Sequence, residues 1–198
     1  MYSAIQQQQL LATAYESIKH GLMMGTRPEL KLSAYDQSLL TPRATFITLK
    51  IDSLLKGCIG SLTTEESLIE NLSYNAYSAA FEDDRFPTLT HDELPLLEIE
   101  IALLSDLETL NCDTEQDLRD ILRPDIDGLA LTEGDLSATF LPAIWQQLTN
   151  PEQFIHELKL KAGFDSDYWS PSIVAERYTV LTISNKKSRP NILRGRFN

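Results

Sequence analysis

Residues 44 to 60 constrain the chain most. From Ala44 to Ile51 apolar Ile47, Leu49 and Ile51 alternate with polar Thr48 and Lys50, the period-two pattern of a half-buried strand. Asp52-Ser53 supplies a turn, and Leu54 to Ile59 reads as the returning strand of a hairpin. Gly57 and Gly60 interrupt that strand, which marks a bulge or a close backbone approach. Between them sits Cys58, one of two cysteines in the chain. A hairpin with one apolar face needs a covering layer, and the flanking segments predict helices to supply it.

Ahead of the hairpin, Leu11, Tyr15, Ile18 and Leu22 form a helical stripe from Ile5 to about Met24, ended by Gly25, and residues 25 to 42 read as a loop. After it, Thr63 with Glu66 matches a capping box, and Leu68, Leu72, Ala76, Ala79 and Ala80 predict a helix to about Phe81. Pro87 disfavours helical geometry at Phe86 and closes that segment. Leu96 to Leu104 is the strongest strand pattern, with Ile99, Ile101 and Leu103 on one face and Glu98, Glu100 and Ala102 on the other.

The second half predicts a short helix capped by Asp113 with Leu118, Ile121 and Leu122 inward, then a turn at Asp127-Gly128. Leu129–Leu131 and Leu136–Leu141 read as a second hairpin. Pro142 suits a brief helix holding Ile144, Trp145 and Leu148, and Asn150-Pro151 opens another that Gly163 stops. Arg177 to Ile183 is a last strand, and residues 184–198 read as a basic, mobile tail after a single domain over 1–183. Hairpins alternating with helices predict an α+β fold, a mixed β-sheet flanked by helices.

With 17 basic and 29 acidic residues the formal net charge is −12, which opposes approach to phosphate backbones and anionic lipid. The five bases after Ser184 are matched there by no acid, so the acidic excess lies in the body of the chain. Nucleic acid and membrane are therefore not the expected partners. The amino terminus lacks the basic start and apolar core of a signal peptide, so a cytoplasmic protein with two free thiols is expected.

Chemistry concentrates at Cys58. A thiol acts as nucleophile or ligand only as the thiolate. On a regular strand Lys56 would share its face about 7 Å away, and Arg85 would add a second cation if the loop after the second helix folds back. The competing reading makes Cys58 a small buried hydrophobe and the glycines hairpin geometry. His20, His91 and His156 fall in no nucleophile or metal motif, and no cluster has ligand spacing, so no metal is assigned. Glu98 and Glu100 share a strand face that brackets a substrate or is simply solvated. No phosphate-cradling loop or dinucleotide fingerprint is present, and the cofactor is left open.

Leu55-Lys56-Gly57-Cys58-Ile59-Gly60 resembles the Leu-Arg-Gly-Cys-Ile-Gly signature of the AMMECR-one domain family, whose prokaryotic members are called AmmeMemoRadiSam system protein A. Phe46–Leu49, Ala79-Ala80-Phe81, Asp84–Pro87, Leu97–Leu104, Asp127-Gly128-Leu129, Phe140-Leu141-Pro142 and Lys161–Phe164 followed by Trp169 extend the resemblance over residues 42 to 183. Lys56 stands where the family has arginine, keeping charge without the bidentate fork, and Asp84 replaces a proline.

The resemblance implies two unequal lobes with a cleft near the cysteine signature, and a place in a modification pathway beside Memo-type and radical S-adenosylmethionine proteins. Its substrate would be a small molecule or a protein. In that picture Cys58 is the reactive or ligand-holding group, Lys56 and Arg85 tune it or bind an anion, and Glu100 is an acid/base or orienting group. Gly57 and Gly60 permit close approach, and Phe86 and Asp127 complete the substrate side. The alternative is a non-catalytic binding or scaffold module in which the cysteine hairpin is structural.

Overall fold

The computed structural model describes residues 2–185. Its elements are α1 (Ala4–Met24), β1 (Thr45–Ile51), β2 (Leu54–Gly60), α2 (Leu68–Phe81), β3 (Glu98–Leu104), β4 (Glu108–Leu110), α3 (Glu115–Ile121), β5 (Gly128–Glu133), β6 (Leu136–Phe140), α4 (Pro151–Ala162), β7 (Val174–Tyr178) and β8 (Val180–Ser184). Short 3-10 turns fill residues 32–34, 37–39, 94–96 and 142–146. The α+β class is as the sequence predicts. In place of one mixed sheet there are two four-stranded sheets, ordered β2-β1-β3-β8 and β4-β7-β5-β6, and every pairing between their strands is antiparallel. Antiparallel partners can be joined by short turns, whereas parallel ones require long crossovers.

The first lobe packs α1 and α2 on one face of the first sheet. Ile47 and Leu49 of β1 and Ile99, Ile101 and Leu103 of β3 meet Leu10, Ala14, Ile18, Leu68, Leu72 and Ala76 in one buried core. The seam between the helices runs through small residues rather than along Leu11, Tyr15 and Leu22, which lie at its margin. Gly21 explains the rotation, since a Cβ there would stand 2.3 Å from the Phe81 ring. Ser17 fixes the register by donating to the Ser73 carbonyl at 2.8 Å.

The second helix starts later than Thr63 and Glu66 suggest. Ser67 caps it, its hydroxyl taking the Glu70 amide while Glu70 returns a bond to Ser67. Similarly Thr114, not Asp113, caps α3 with Asp117, and Ile121 faces outward rather than inward.

The second lobe is a continuous insertion between β3 and β8, with its own core around Trp145, Phe154, Leu158, Leu129 and Leu118. The expected last strand is split at Thr179, with β7 in the second sheet and β8 in the first. The two connections are tied together where they pass: Ser105 N donates to the Thr179 carbonyl and Thr179 N to Ser105 Oγ, both at 2.9 Å. Ala44, Leu104 and Tyr178 form a third small core between the lobes, joined by Phe46, Leu141 and Val180.

Residues 184 and 185 belong to the sheet, not to a tail. Ser184 ends β8, and Asn185 accepts from Ile99 N at 2.8 Å and donates to the Leu97 carbonyl at 3.1 Å. The rest of the basic tail, 186–198, lies outside the described residues. Among the described residues no helix is long and apolar enough to cross a membrane.

Candidate functional site

Strand β2 is an edge strand, and its local irregularity sets up the site. Leu49 pairs with Gly57 but Lys50 pairs with Leu55, so Lys56 is the extra residue of a bulge. The bulge ends the regular alternation that would have put Lys56 beside Cys58. Lys56 is instead held by Glu93, Nζ to Oε1 at 2.7 Å, and that bond draws the Glu93 carboxyl below its ordinary range. The glycines also serve the protein rather than a ligand. A Cβ on Gly57 would lie 1.9 Å from the Ala79 carbonyl oxygen, and one on Gly60 would lie 2.4 Å from the Thr45 carbonyl oxygen and the Phe46 ring. Gly57 thus lets β2 settle against α2.

With Gly57 turned toward the helices, Cys58 projects from the opposite face. It is half-buried, and its Sγ lies 3.5 Å from Thr48 Oγ1 on β1. Thr48 is in register with Glu100 of β3, and Glu100 with Ser184 of β8, so Cys58, Thr48, Glu100 and Ser184 form one row across the sheet. Glu100 is therefore separated from the thiol by Thr48. Its carboxylate is 3.6 Å from Lys50 and lines a cavity of about 300 Å³ between the lobes, with Asp125, Pro142, Gln146 and Thr182.

The backbone of Cys58 is clamped from the outer edge. Its N–H donates to Asp83 Oδ2 at 2.8 Å, and its carbonyl accepts from Arg85 Nη2 at 2.7 Å. Arg85 Nε also donates to Asp83 Oδ1 at 2.8 Å, and its guanidinium lies 5.4 Å from the centre of the Phe86 ring. This loop reaches β2 because α2 stops at Phe81 and the Leu89 amide returns to the Ala80 carbonyl. Asp83 is almost fully buried, and chiefly the Arg85 hydrogen bond holds its carboxyl down at about 2.

The second lobe carries a cation of its own at the end of α4. Asn150 caps α4 and Pro151 begins it, while Gly163, at φ 93°, ends it, which sets Lys161 in the last turn. Lys161 Nζ donates to the Thr139 carbonyl at 2.9 Å and lies 5.1 Å from the centre of the Phe140 ring. Its side chain runs along the surface, yet desolvation of the ammonium lowers its pKa; the Cys58 thiolate opposes that shift and Arg85 reinforces it. Arg85 in turn is raised first by Asp83 and also by Cys58. Arg85 thus lies against the Cys58 backbone, while Lys161 is held within its own lobe at Thr139 and Phe140.

Of the residues singled out from the sequence, Cys58, Arg85 and Phe86 come together, and Glu100 lies further along the same face. Asp127 does not join them. It is buried in the second lobe, where Arg123 Nη2 binds its carboxylate at 2.6 Å and Trp145 Nε1 binds its carbonyl at 2.7 Å. Thr48 and Asp83 are the neighbours of Cys58 that sequence reasoning missed. Alternation in β1 carries a signal for Thr48, whereas nothing local marks Asp83 as a neighbour of Cys58. Cys112 is packed beside the second core, and burial pushes its thiol up. Among the described residues no group of His, Cys, Asp and Glu is arranged to hold a metal ion.

A family model described as AMMECR1 matches residues 11–183. Protein SSO0193 of Saccharolobus solfataricus is 33% identical over 190 residues, covering 92% of this chain and 82% of that protein. A protein of Methanothermobacter thermautotrophicus is 30% identical over 138 residues, covering 69% of this chain and 72% of its own length. Among solved structures, the uncharacterized protein PH0010 from Pyrococcus horikoshii superposes with a TM-score of 0.82 at 25% identity, covering 89% of each chain.

Proposed function

The chain belongs to the AMMECR1 family, and from that premise together with the thiol-bearing face between the lobes we propose that it is a working component of a modification pathway centred on Cys58. The observation that carries this reading is the division of labour at Cys58. Its backbone is fixed by Asp83 and Arg85, while its half-buried Sγ is left on the opposite face beside Thr48. A group fixed at the backbone and presented to a cleft has little orientation left to lose when it engages a substrate. Thr48 Oγ1 is within reach to exchange a proton with the thiol. Glu100, further along the row, orients a longer substrate rather than acting on the sulfur. Memo-type and radical S-adenosylmethionine proteins, implied by the family likeness, are the proposed partners, and a small molecule or a protein is the proposed substrate.

The scaffold alternative draws on the same hairpin, because Gly57 and Gly60 are explained by packing alone. Alkylation of the folded protein by iodoacetamide, read by peptide mass spectrometry, separates the two. The working-thiol reading expects Cys58 to react at least about tenfold faster than Cys112, whose thiol is desolvated and disfavoured as thiolate. If Cys58 stays protected until the protein unfolds, the thiol is core and the scaffold reading replaces this one.

A further inference from the structure

Two arginine Nε atoms, those of Arg43 and Arg119, are buried without a hydrogen-bond partner among the described residues. The Arg119 guanidinium is answered by Glu115 and Glu152, so its charge is balanced in any case. Arg43 differs. Its Nη1 donates to the Leu104 carbonyl at 2.8 Å, and among the described residues it makes no other hydrogen bond and no ion pair with a carboxylate. The side chain is half-buried, and Leu104 N returns a bond to the Ala44 carbonyl at 3.1 Å, which fixes the strand ends around it. A withdrawn donor left unmade is costly, and native folds seldom retain one without a use.

Arg43 lines a cavity of about 450 Å³ with Tyr2, Gln6, Ser38, Thr41, Leu103 and Leu181. The cavity lies on the helix side of the first sheet, because Leu103 belongs to the core under α1, whereas Cys58 projects from the opposite face. Most of its polar wall is already satisfied. Gln6 Nε2 donates to Ser38 Oγ at 2.7 Å and to Asp36 Oδ1 at 3.3 Å, the Ser38 hydroxyl donates to Asp36 at 2.6 Å, and the Thr41 hydroxyl donates to the Ser38 carbonyl at 3.0 Å. Asp36 is thereby committed to its own turn and is not among the lining groups. Asp106 and Glu176 line a separate cavity that Arg43 also borders, and neither forms an ion pair with it. With these acids around a single cation, recognition rests on hydrogen-bond donors rather than on a positive field. The donors left over are the Nη2 end of Arg43 and the hydroxyl of Tyr2, which has no hydrogen bond among the described residues.

Donors without acceptors call for a ligand rich in acceptor oxygens, and a planar guanidinium suits a carboxylate or a phosphoryl group. Such a head fills only part of the cavity. Leu103 and Leu181 border the rest, and Leu181 stands 39% exposed on β8. We infer that this cavity is a second ligand site, taking an amphiphilic small molecule whose carboxylate or phosphoryl head accepts from Arg43 and Tyr2 while its aliphatic chain lies along Leu181. The site is independent of Cys58 and of the face between the lobes, so the two readings stand or fall separately.

Isothermal titration at fixed ionic strength, with hexyl phosphate, methyl phosphate, hexanoate and acetate in turn, tests the site. At least one six-carbon ligand binds at a single saturable site, roughly tenfold or more tighter than its short counterpart, because part of the chain leaves water. Arg43→Gln removes the donors and weakens that binding at least about tenfold, and Tyr2→Phe weakens it about threefold. Leu181→Glu, at an exposed position, sets a like charge beside the chain and also weakens binding about tenfold, which keeps the test decisive if Arg43→Gln does not fold. Tighter binding of hexyl phosphate than of hexanoate assigns a phosphoryl head, and the reverse order assigns a carboxylate. Absence of saturable binding by both six-carbon ligands up to about 10 mM, or binding that folded Arg43→Gln or Leu181→Glu leaves unchanged, overturns the site.

Discussion

Asp83 holds Cys58 and Arg85 at once, and its chemistry makes the clamp sensitive to acid. It accepts the Cys58 amide and the Arg85 guanidinium while almost fully buried, so both bonds depend on its negative charge. Its carboxyl is held down at about 2, against an ordinary value of 3.8. The native state therefore binds the proton less readily than the unfolded chain does. The stabilisation is fully present above the unfolded value, about pH 4, and is lost as the pH falls toward 2. Its size is about 2 kcal/mol. Urea unfolding of Asp83→Asn should show a deficit of that order at pH 6 that narrows steadily below pH 4. A deficit that stays constant down to about pH 2.5 would mean that the charge is not what stabilises the clamp. Arg85, which the sequence marks as a possible partner of the thiol, is committed first to the strand edge, where it satisfies a carbonyl that β2 would otherwise expose.

At the scale of elements, two candidate caps compete for the start of α2. Thr63 with Glu66 and Ser67 with Glu70 both fit the pattern, and spacing alone does not choose between them. Tertiary contacts do. Leu68 N donates to the Thr41 carbonyl at 2.9 Å, and Pro42 bridges Ser67, which pins the chain beside the preceding loop at the first turn. Ser67→Ala should cost about 1 kcal/mol and Thr63→Ala nearly nothing, measured by denaturant midpoint at neutral pH. Periodicity identifies both hairpins and the helices, because Ile47, Leu49, Ile99, Ile101 and the α2 stripe report burial directly. It does not report the bulge at Lys56, which is created by register against β1, or the break at Thr179, where one apolar run serves two sheets. Nor does it find Asp83, since its bond to the Cys58 amide joins residues far apart in sequence and leaves no local pattern. Cys58 is legible through its flanking glycines, although both glycines answer to packing rather than to a ligand.

At the scale of the molecule, the second lobe enters and leaves through one narrow junction. Both chain crossings meet at Ser105 and Thr179, and the shared core there is small compared with the core of either lobe. Unfolding the insertion would leave β3 and β8 joined by a long loop, and closure entropy grows slowly, by about 0.6 kcal/mol for each doubling of length. The first lobe, with the larger core, should therefore outlast the second. Both tryptophans, Trp145 and Trp169, lie in the second lobe, whereas the two longest helices, α1 and α2, lie in the first. In urea, tryptophan fluorescence should change at a lower midpoint than far-ultraviolet circular dichroism; coincident midpoints would show that the lobes unfold as one unit. Tyr178→Phe sharpens the test. The hydroxyl of Tyr178 bonds Thr139 at 2.6 Å and the Phe140 carbonyl at 3.2 Å, the same short stretch that positions Lys161. Its loss should lower the fluorescence midpoint by the equivalent of about 1 kcal/mol and leave the circular dichroism midpoint nearly unchanged.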